Sequence, residues 1–339
     1  MSENFVIHTR PPAKLNLFLE IPAKLDDGYH EIDTVMAAID LCDELQVQRT
    51  DDPTVSLQAN WLPSRNEIAR ELGLPTTESP SLADPEDALF IPTDERNLVV
   101  KALQAFRQHF GIASGFHARL GKRIPAGAGM GGASSDAAHA ISCAAQLHQV
   151  THHHQELHQI AASIGSDVPF FLPMNCENGQ QACMGWATGR GEKVAPLAIS
   201  SDFDPSETYL LIAYPPIPLS TAKVYSALRI PKYPVSSAKF RQALQSNNRE
   251  QWESSMMNRL SEVAEEITPQ VKDLLKSLWK SGLETCQLTG SGSACFGVAS
   301  NFENASRILN ALQSDLTPGV LLRLARITPT AAPIRTERS

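Results

Sequence analysis

The chain of 339 residues carries a formal net charge of −8, with 42% apolar and 19% charged residues; that length predicts two domains and room for a sizeable core. An acidic balance without a basic run argues against nucleic acid as the main partner, and no apolar run approaches the roughly 18 residues that would argue for a membrane span. Met1–Ile7 lacks the basic and apolar regions of a signal peptide, and the six cysteines include no C-x-x-C pair, so reduced thiols and a cytoplasmic location are expected.

Short strands are predicted over 5–9 and 15–21. In the second, Leu15, Leu17, Leu19 and Ile21 alternate with Asn16, Phe18 and Glu20, a period of two that predicts a half-buried strand. Lys14 and Asn16 then face away from the leucines, either to solvent or as site residues held on a rigid element. Asp27-Gly28 is a turn dipeptide. It puts Tyr29 and His30 on a loop tip, as plain surface rings or as groups that stack on and hydrogen-bond a planar base. A strand is expected at 44–49. Residues 51–94 hold six prolines and little periodicity and read as a surface excursion with a short helix around Trp61 and Ile68–Leu72.

A helix is predicted over 97–110, with Leu98, Val99, Ala102, Leu103 and Phe106 on one face, and a strand over 115–123. Four glycines then fall within the six residues 127–132, two serines follow, and a helix pattern runs over 134–149. Such a loop reads as a packing turn or as a phosphate cradle. In a cradle, glycine permits positive φ and consecutive N–H groups form an anion nest, and the helix adds its unpaired N-terminal N–H groups. Gly127, Gly129 and Gly132 match G-x-G-x-x-G only weakly, because no acid follows at 147–154. The Walker pattern fails for want of Lys-Ser or Lys-Thr. His152-His153-His154 lacks Cys or paired carboxylates at ligand spacing, so no metal site is expected there. Gly165 ends a helix over 156–164, and Pro169 pushes Val168 to extended geometry. Asp167 is thereby placed between a helix end and an apolar strand, as a turn acid or as an acid facing a polar pocket with Lys14 as partner. Thr188–Glu192 reads as a glycine hinge before a strand. Further on, a strand at 208–214, helices at 236–246, 249–265 and 269–281, a second glycine–serine loop at 288–298, a helix at 303–313 and a strand at 319–327 are expected, with a frayed tail beyond.

Pro12–Leu19, Asp27–His30 with Thr34–Met36, Pro125–Ala138, Gly165–Pro169 and Leu288–Phe296 together resemble the GHMP kinase superfamily, over roughly residues 5 to 327. Asp27-Gly-Tyr-His30 with Gly131-Gly-Ala-Ser-Ser135 is similar to the branch whose substrate carries a cytidine group. The resemblance implies a two-lobed α+β fold. A ribosomal-S5-like N-terminal domain would span 1–185 and a ferredoxin-like C-terminal domain 186–330, with a disordered tail at 331–339 and the active site in the cleft between lobes. It implies transfer of the ATP γ-phosphoryl group to the 2-hydroxyl of a cytidyl-bearing methylerythritol in non-mevalonate isoprenoid synthesis. Pro125, Ala126, Gly127, Ala128, Gly129, Met130, Gly131, Gly132, Ala133, Ser134 and Ser135 would wrap the ATP phosphates, and Ser134 or Ser135 would reach Mg²⁺. Asp167 would be the base and Lys14 would neutralise charge on the transferring group. Asn16 would bind the sugar-alcohol, Tyr29 and Tyr225 would sandwich the cytosine, His30 would read its edge, and Gly290, Ser291 and Gly292 would support substrate phosphates. The alternatives are a homoserine- or mevalonate-type kinase, whose substrate has no base, a non-catalytic ligand sensor, and a nicotinamide dehydrogenase. Two departures stand out: the long 51–94 stretch, and Arg259 after Asn258 where similar proteins often have an acid. The oligomeric state is left open.

Overall fold

The computed structural model describes residues 5–76, 88–150, 155–176, 181–217, 219–316 and 318–338. Strands β1 (Phe5–Thr9), β2 (Pro12–Lys24), β3 (His30–Cys42) and β4 (Glu44–Thr50) succeed one another through short connections. The long antiparallel pair of β2 and β3 runs from Pro12 opposite Cys42 to Lys24 opposite His30. β2 is not half-buried as its alternation predicts. It is covered on both faces from Pro12 to Ile21, because the face carrying Lys14 and Asn16 lies under a loop from the second lobe.

β5 (Val55–Trp61) and α1 (Arg65–Glu71) follow. α1 overlaps the short helix expected around Ile68–Leu72, while β5 corrects the expected surface excursion: it is a regular strand, parallel to β6 (Gly115–Lys122), and Leu57 and Trp61 on it are buried. The prolines obscured this short strand. Residues 77–87 of the same stretch lie outside the described residues, as do His152–His154. α2 (Leu98–Phe110) begins where the Asn97 side chain accepts from the Val99 amide at 2.9 Å and ends at the left-handed Gly111, which fits the capping chemistry of both ends. α3 (Gly132–Leu147) is buried along most of its length. Its alanines let it lie close against α2, β1, β2, β4 and α4 (Gln155–Ile164). Phe106, Phe116, Leu103, Val47 and Ile141 share this core.

β7 (Met184–Thr188) and β8 (Lys193–Pro196) form a hairpin on β3, so a domain boundary at 185/186 would cut through β7. Beyond it lie β9 (Tyr209–Tyr214), α5 (Thr221–Ala227), α6 (Ala238–Gln245) and α7 (Arg249–Ser254). The helix expected over 249–265 is interrupted: β10 (Met257–Asn258) pairs in parallel with β2 at Phe18 and Leu19, and helix resumes only at α8 (Ser261–Ile267). The reason is tertiary. Glu20 on β2 is fully buried, and the Arg259 guanidinium donates to both its oxygens at 2.6 Å. Burial alone would raise that carboxyl; Arg259 and the Val235 and Ile21 amides outweigh it and hold Glu20 below the usual carboxylate range.

α9 (Pro269–Lys280), β11 (Thr285–Leu288), β12 (Cys295–Ala299), α10 (Phe302–Leu316) and β13 (Leu321–Arg326) complete the second lobe. Its antiparallel sheet has the order β11-β12-β9-β13, with α9 and α10 packed on it. Read in sequence this is the βαββαβ plan of a ferredoxin-like lobe. The first lobe holds the sheets β10-β2-β3-β7-β8 and β14-β1-β4-β6-β5. β14 (Arg335–Arg338) lies in what was expected to be a disordered tail, yet it pairs antiparallel with β1. Its approach is fixed by the buried His139, whose Nε2 accepts from the Ala332 amide at 3.1 Å. Among the described residues no helix is long and apolar enough to cross a membrane.

Candidate active site

A cleft of about 820 Å³ lies between the lobes. Its floor is the start of β2. Lys14 and Asn16 are 3% and 4% exposed, and burial of such groups requires partners. Lys14 Nζ donates to Asn16 Oδ1 and stands 3.6 Å from Asp167 Oδ2. Asn16 Nδ2 donates to Thr34 Oγ1 at 2.9 Å, and that hydroxyl donates to the Phe18 carbonyl at 2.6 Å. The pairing of Lys14 with Asp167 expected from sequence is therefore present. Asp167 does not precede a strand, however. It leads into a short 3-10 helix, Val168–Phe171, whose two phenylalanines are fully buried. Pro169 suits the first turn of a helix because its missing N–H has no helical partner there.

One wall is the glycine loop. Gly127, Gly129 and Gly131 have φ of 65°, 76° and 68°, so every second residue turns left-handed, an alternation that builds an anion nest. Gly131 caps α3 without any side-chain hydrogen bond, which leaves first-turn N–H groups facing a ligand. Gly127, Gly129, Gly131 and Ser134 line the cleft. Pro125, Ala126, Ala128, Met130, Gly132, Ala133 and Ser135 do not; Ala128 and Met130 pack into the core, and Ser135 is fully buried. Of the two serines, only Ser134 lines the cleft.

Opposite stands the second glycine–serine loop. The Thr289 hydroxyl accepts from the Asn16 amide at 3.1 Å and donates to the Gly129 carbonyl at 3.4 Å. Asn258 Nδ2 donates to the Leu288 and Gly290 carbonyls at 2.9 and 2.8 Å. Gly290 and Ser291 line the cleft and Gly292 does not. The two loops touch so closely that a Cβ on Gly129 would sit 2.1 Å from the Thr289 carbonyl oxygen. Gly129→Ala should therefore raise the KM for ATP and lower kcat together, by about tenfold or more, with a fall in melting temperature. Gly127→Ala meets nothing within 4 Å and should cost only the strain of its left-handed backbone, about 1–2 kcal/mol. Steady-state kinetics and thermal unfolding of the two variants check the contrast.

The far end of the cleft is aromatic. Tyr29, His30 and Tyr225 all line it: Tyr225 packs on His30 with ring centroids 5.2 Å apart, and Tyr29, 56% exposed, lies under the Arg190 guanidinium at 4.9 Å. Burial, and then the Asp167 carboxylate, push the Tyr225 phenol up. Burial, and then Lys24, hold the His30 imidazole below its ordinary value. Sequence reasoning assigned no role to Lys24, Ser166, Arg190, Thr221 and Ser226, which also line the cleft. Arg190 alone had a signal, a cation between two glycines at a turn.

Beneath the glycine loop lies a buried cluster that the sequence did not disclose. Lys122 Nζ donates to Asp43 and, at 2.7 Å, to Asp136 on α3. Asp43 Oδ1 also accepts from the Arg123 and Ile124 amides that lead into the loop. Burial would push the Lys122 ammonium down, but the two carboxylates outweigh it and push it up.

Families of known proteins match these features. The GHMP kinases N terminal domain matches residues 97–173 and the GHMP kinases C terminal matches 240–317. The 4-diphosphocytidyl-2-C-methyl-D-erythritol kinase of Rhodopirellula baltica is 40% identical over 330 residues, covering 95% of this chain and 96% of its own. This chain belongs to that kinase family. The 4-diphosphocytidyl-2-C-methyl-D-erythritol kinase of Brevibacillus brevis is 32% identical, over 94% of this chain and 96% of its own. A crystal structure of 4-(cytidine 5′-diphospho)-2C-methyl-D-erythritol kinase aligns with a TM-score of 0.66 and 27% identity, covering 95% of this chain and all of the other. The homoserine kinase of Cytophaga hutchinsonii aligns with a TM-score of 0.68, over 99% and 98% of the two chains, at 16% identity, a likeness of fold alone. The kinase is thus a GHMP-type, ATP-dependent phosphotransferase acting on a small molecule.

Proposed function

We propose that the kinase transfers the γ-phosphoryl group of ATP to the 2-hydroxyl of 4-diphosphocytidyl-2-C-methyl-D-erythritol, a step of non-mevalonate isoprenoid synthesis. The observation that carries this reading is the pairing of buried Lys14 with the cleft-facing Asp167, set between a phosphate-shaped glycine loop and an aromatic end fit for a base. Phosphoryl transfer asks for positioning and charge stabilisation more than covalent chemistry. N–H groups around Gly127–Ser134 hold the ATP phosphates, and Asp167 orients the acceptor hydroxyl and takes its proton as the bond to phosphorus forms. Lys14 neutralises charge on the transferring group. Ser134 and Asp167 give the cleft oxygen donors, which suit Mg²⁺, and Mg²⁺ would supply charge neutralisation at the phosphates.

At the far end His30 reads the base, flanked by Tyr29 and Tyr225. A neutral imidazole keeps one acceptor nitrogen, which can take a hydrogen bond from the amino group of cytosine. A protonated one has two donors and loses that acceptor. His30 is held toward the neutral form, so the KM for the cytidyl substrate should stay low at neutral pH and rise as pH falls below the ordinary imidazole range. KM measured from pH 8 to pH 5 checks this, with His30→Gln as the variant whose KM should not follow pH.

Homoserine and mevalonate carry no base, so the Tyr29, His30 and Tyr225 end would have no task with them. ADP release measured with the cytidyl substrate, homoserine and mevalonate in parallel tests the assignment. Turnover of the first alone supports it; turnover of either other compound without the first overturns it.

A further inference from the structure

Arg190 occupies the tip of the β7–β8 hairpin. Gly189 and Gly191 on either side have φ of 71° and 104°, so the turn presents a single long side chain between two residues without one. That turn is held in place. The Arg190 amide donates to Glu192 Oε2 at 2.7 Å, and the Ile32 amide on β3 donates to the Gly189 carbonyl at 2.8 Å. The hairpin tip is therefore fixed to the strand that begins with His30. Among the described residues no carboxylate forms an ion pair with Arg190, and its guanidinium lies 4.9 Å from the centroid of the Tyr29 ring.

Tyr29 needs such support. It stands on a five-residue turn in which the Leu25 amide donates to the Tyr29 carbonyl at 2.7 Å and the Tyr29 amide donates to Asp27 Oδ1 at 3.0 Å. These contacts fix its backbone but not its ring, which is more than half exposed. An exposed aromatic on a turn keeps its rotamers and must lose them when a base stacks on it. A cation over one face removes that freedom beforehand and leaves the other face open.

We propose that Arg190 is a positioning residue for the cytidyl substrate: it clamps the Tyr29 ring by a cation–π contact and so presets the wall on which the base stacks. This rests on the function proposed above. Arg190 acts through Tyr29, so its removal should touch substrate binding and leave ATP binding and the chemical step alone.

The test is a mutant cycle on the full-length enzyme with the cytidyl substrate. Arg190→Gln should raise the substrate KM by about fivefold or more, the scale of a partly covered cation–π contact, with kcat, the KM for ATP and the melting temperature unchanged. Arg190→Lys, which keeps a cation, should recover most of that loss. In the Tyr29→Ala background, Arg190→Gln should have no further effect. Additive losses in the double variant would mean that Arg190 touches the substrate itself, and would overturn the positioning role. An unchanged KM in Arg190→Gln with normal turnover would overturn this inference and leave the proposed function standing. A wild-type enzyme that does not turn over the cytidyl substrate would overturn both.

Discussion

Asp167→Asn should lower kcat by at least about 100-fold and leave the fold intact, since removing a general base costs typically 10²–10⁴-fold. The residue sits 3.6 Å from Lys14 Nζ, about one-third exposed, where the cleft opens. Asn fills the same volume and cannot take the proton. The short helix that follows it, with Phe170 and Phe171, remains anchored in the core, so the melting temperature should move little. Single-turnover kinetics with ATP and the cytidyl substrate would separate the chemical step from product release. A variant that retains near-normal turnover would show that Asp167 orients the hydroxyl without accepting its proton. Lys14→Met should also lose activity, and in addition stability, because Lys14 is buried and donates to Asn16.

The largest effect on stability is expected from Lys122→Met. Methionine matches the length of the side chain but leaves Asp43 and Asp136 buried without their shared cation. Breaking a buried ion pair from one side typically costs about 3–5 kcal/mol, and urea unfolding would measure it. Lys122→Met/Asp136→Asn should regain part of the loss, since it removes one of the two stranded carboxylates. The single variant should also raise the KM for ATP. Asp43 holds the Arg123 and Ile124 amides that lead into the glycine loop, and a displaced Asp43 releases them.

Local chemistry explains what could be read from the sequence. The glycine loop, the Asp-Gly turn that precedes Tyr29, and α2 with its Asn97 and Gly111 ends are each specified by neighbours in the chain. Residues whose roles depend on distant partners were harder to place. Arg259 looked remote from the chemistry, and the interrupted helix around it makes sense only beside Glu20, 239 residues away. Asp43 in the β3–β4 connection, Lys122 on β6 and Asp136 on α3 form one cluster, and no spacing in the sequence announces it. Val55–Trp61 lay in a proline-rich stretch whose pairing with β6 crosses α1 and α2. The tail at 335–338 carries no strong apolar pattern, and its strand exists because β1 offers an unpaired edge.

β10 decides how the enzyme admits its substrates. Met257 and Asn258 arrive from the second lobe, extend the sheet of the first at Phe18 and Leu19, and hold the turn at Leu288–Gly290. Swinging the lobes apart would have to tear that edge and strip the buried Glu20 of Arg259. The cleft is therefore less a pair of jaws than a fixed socket. Tyr29 and Arg190 line that socket on turns held by backbone hydrogen bonds, so its shape is set before a substrate arrives.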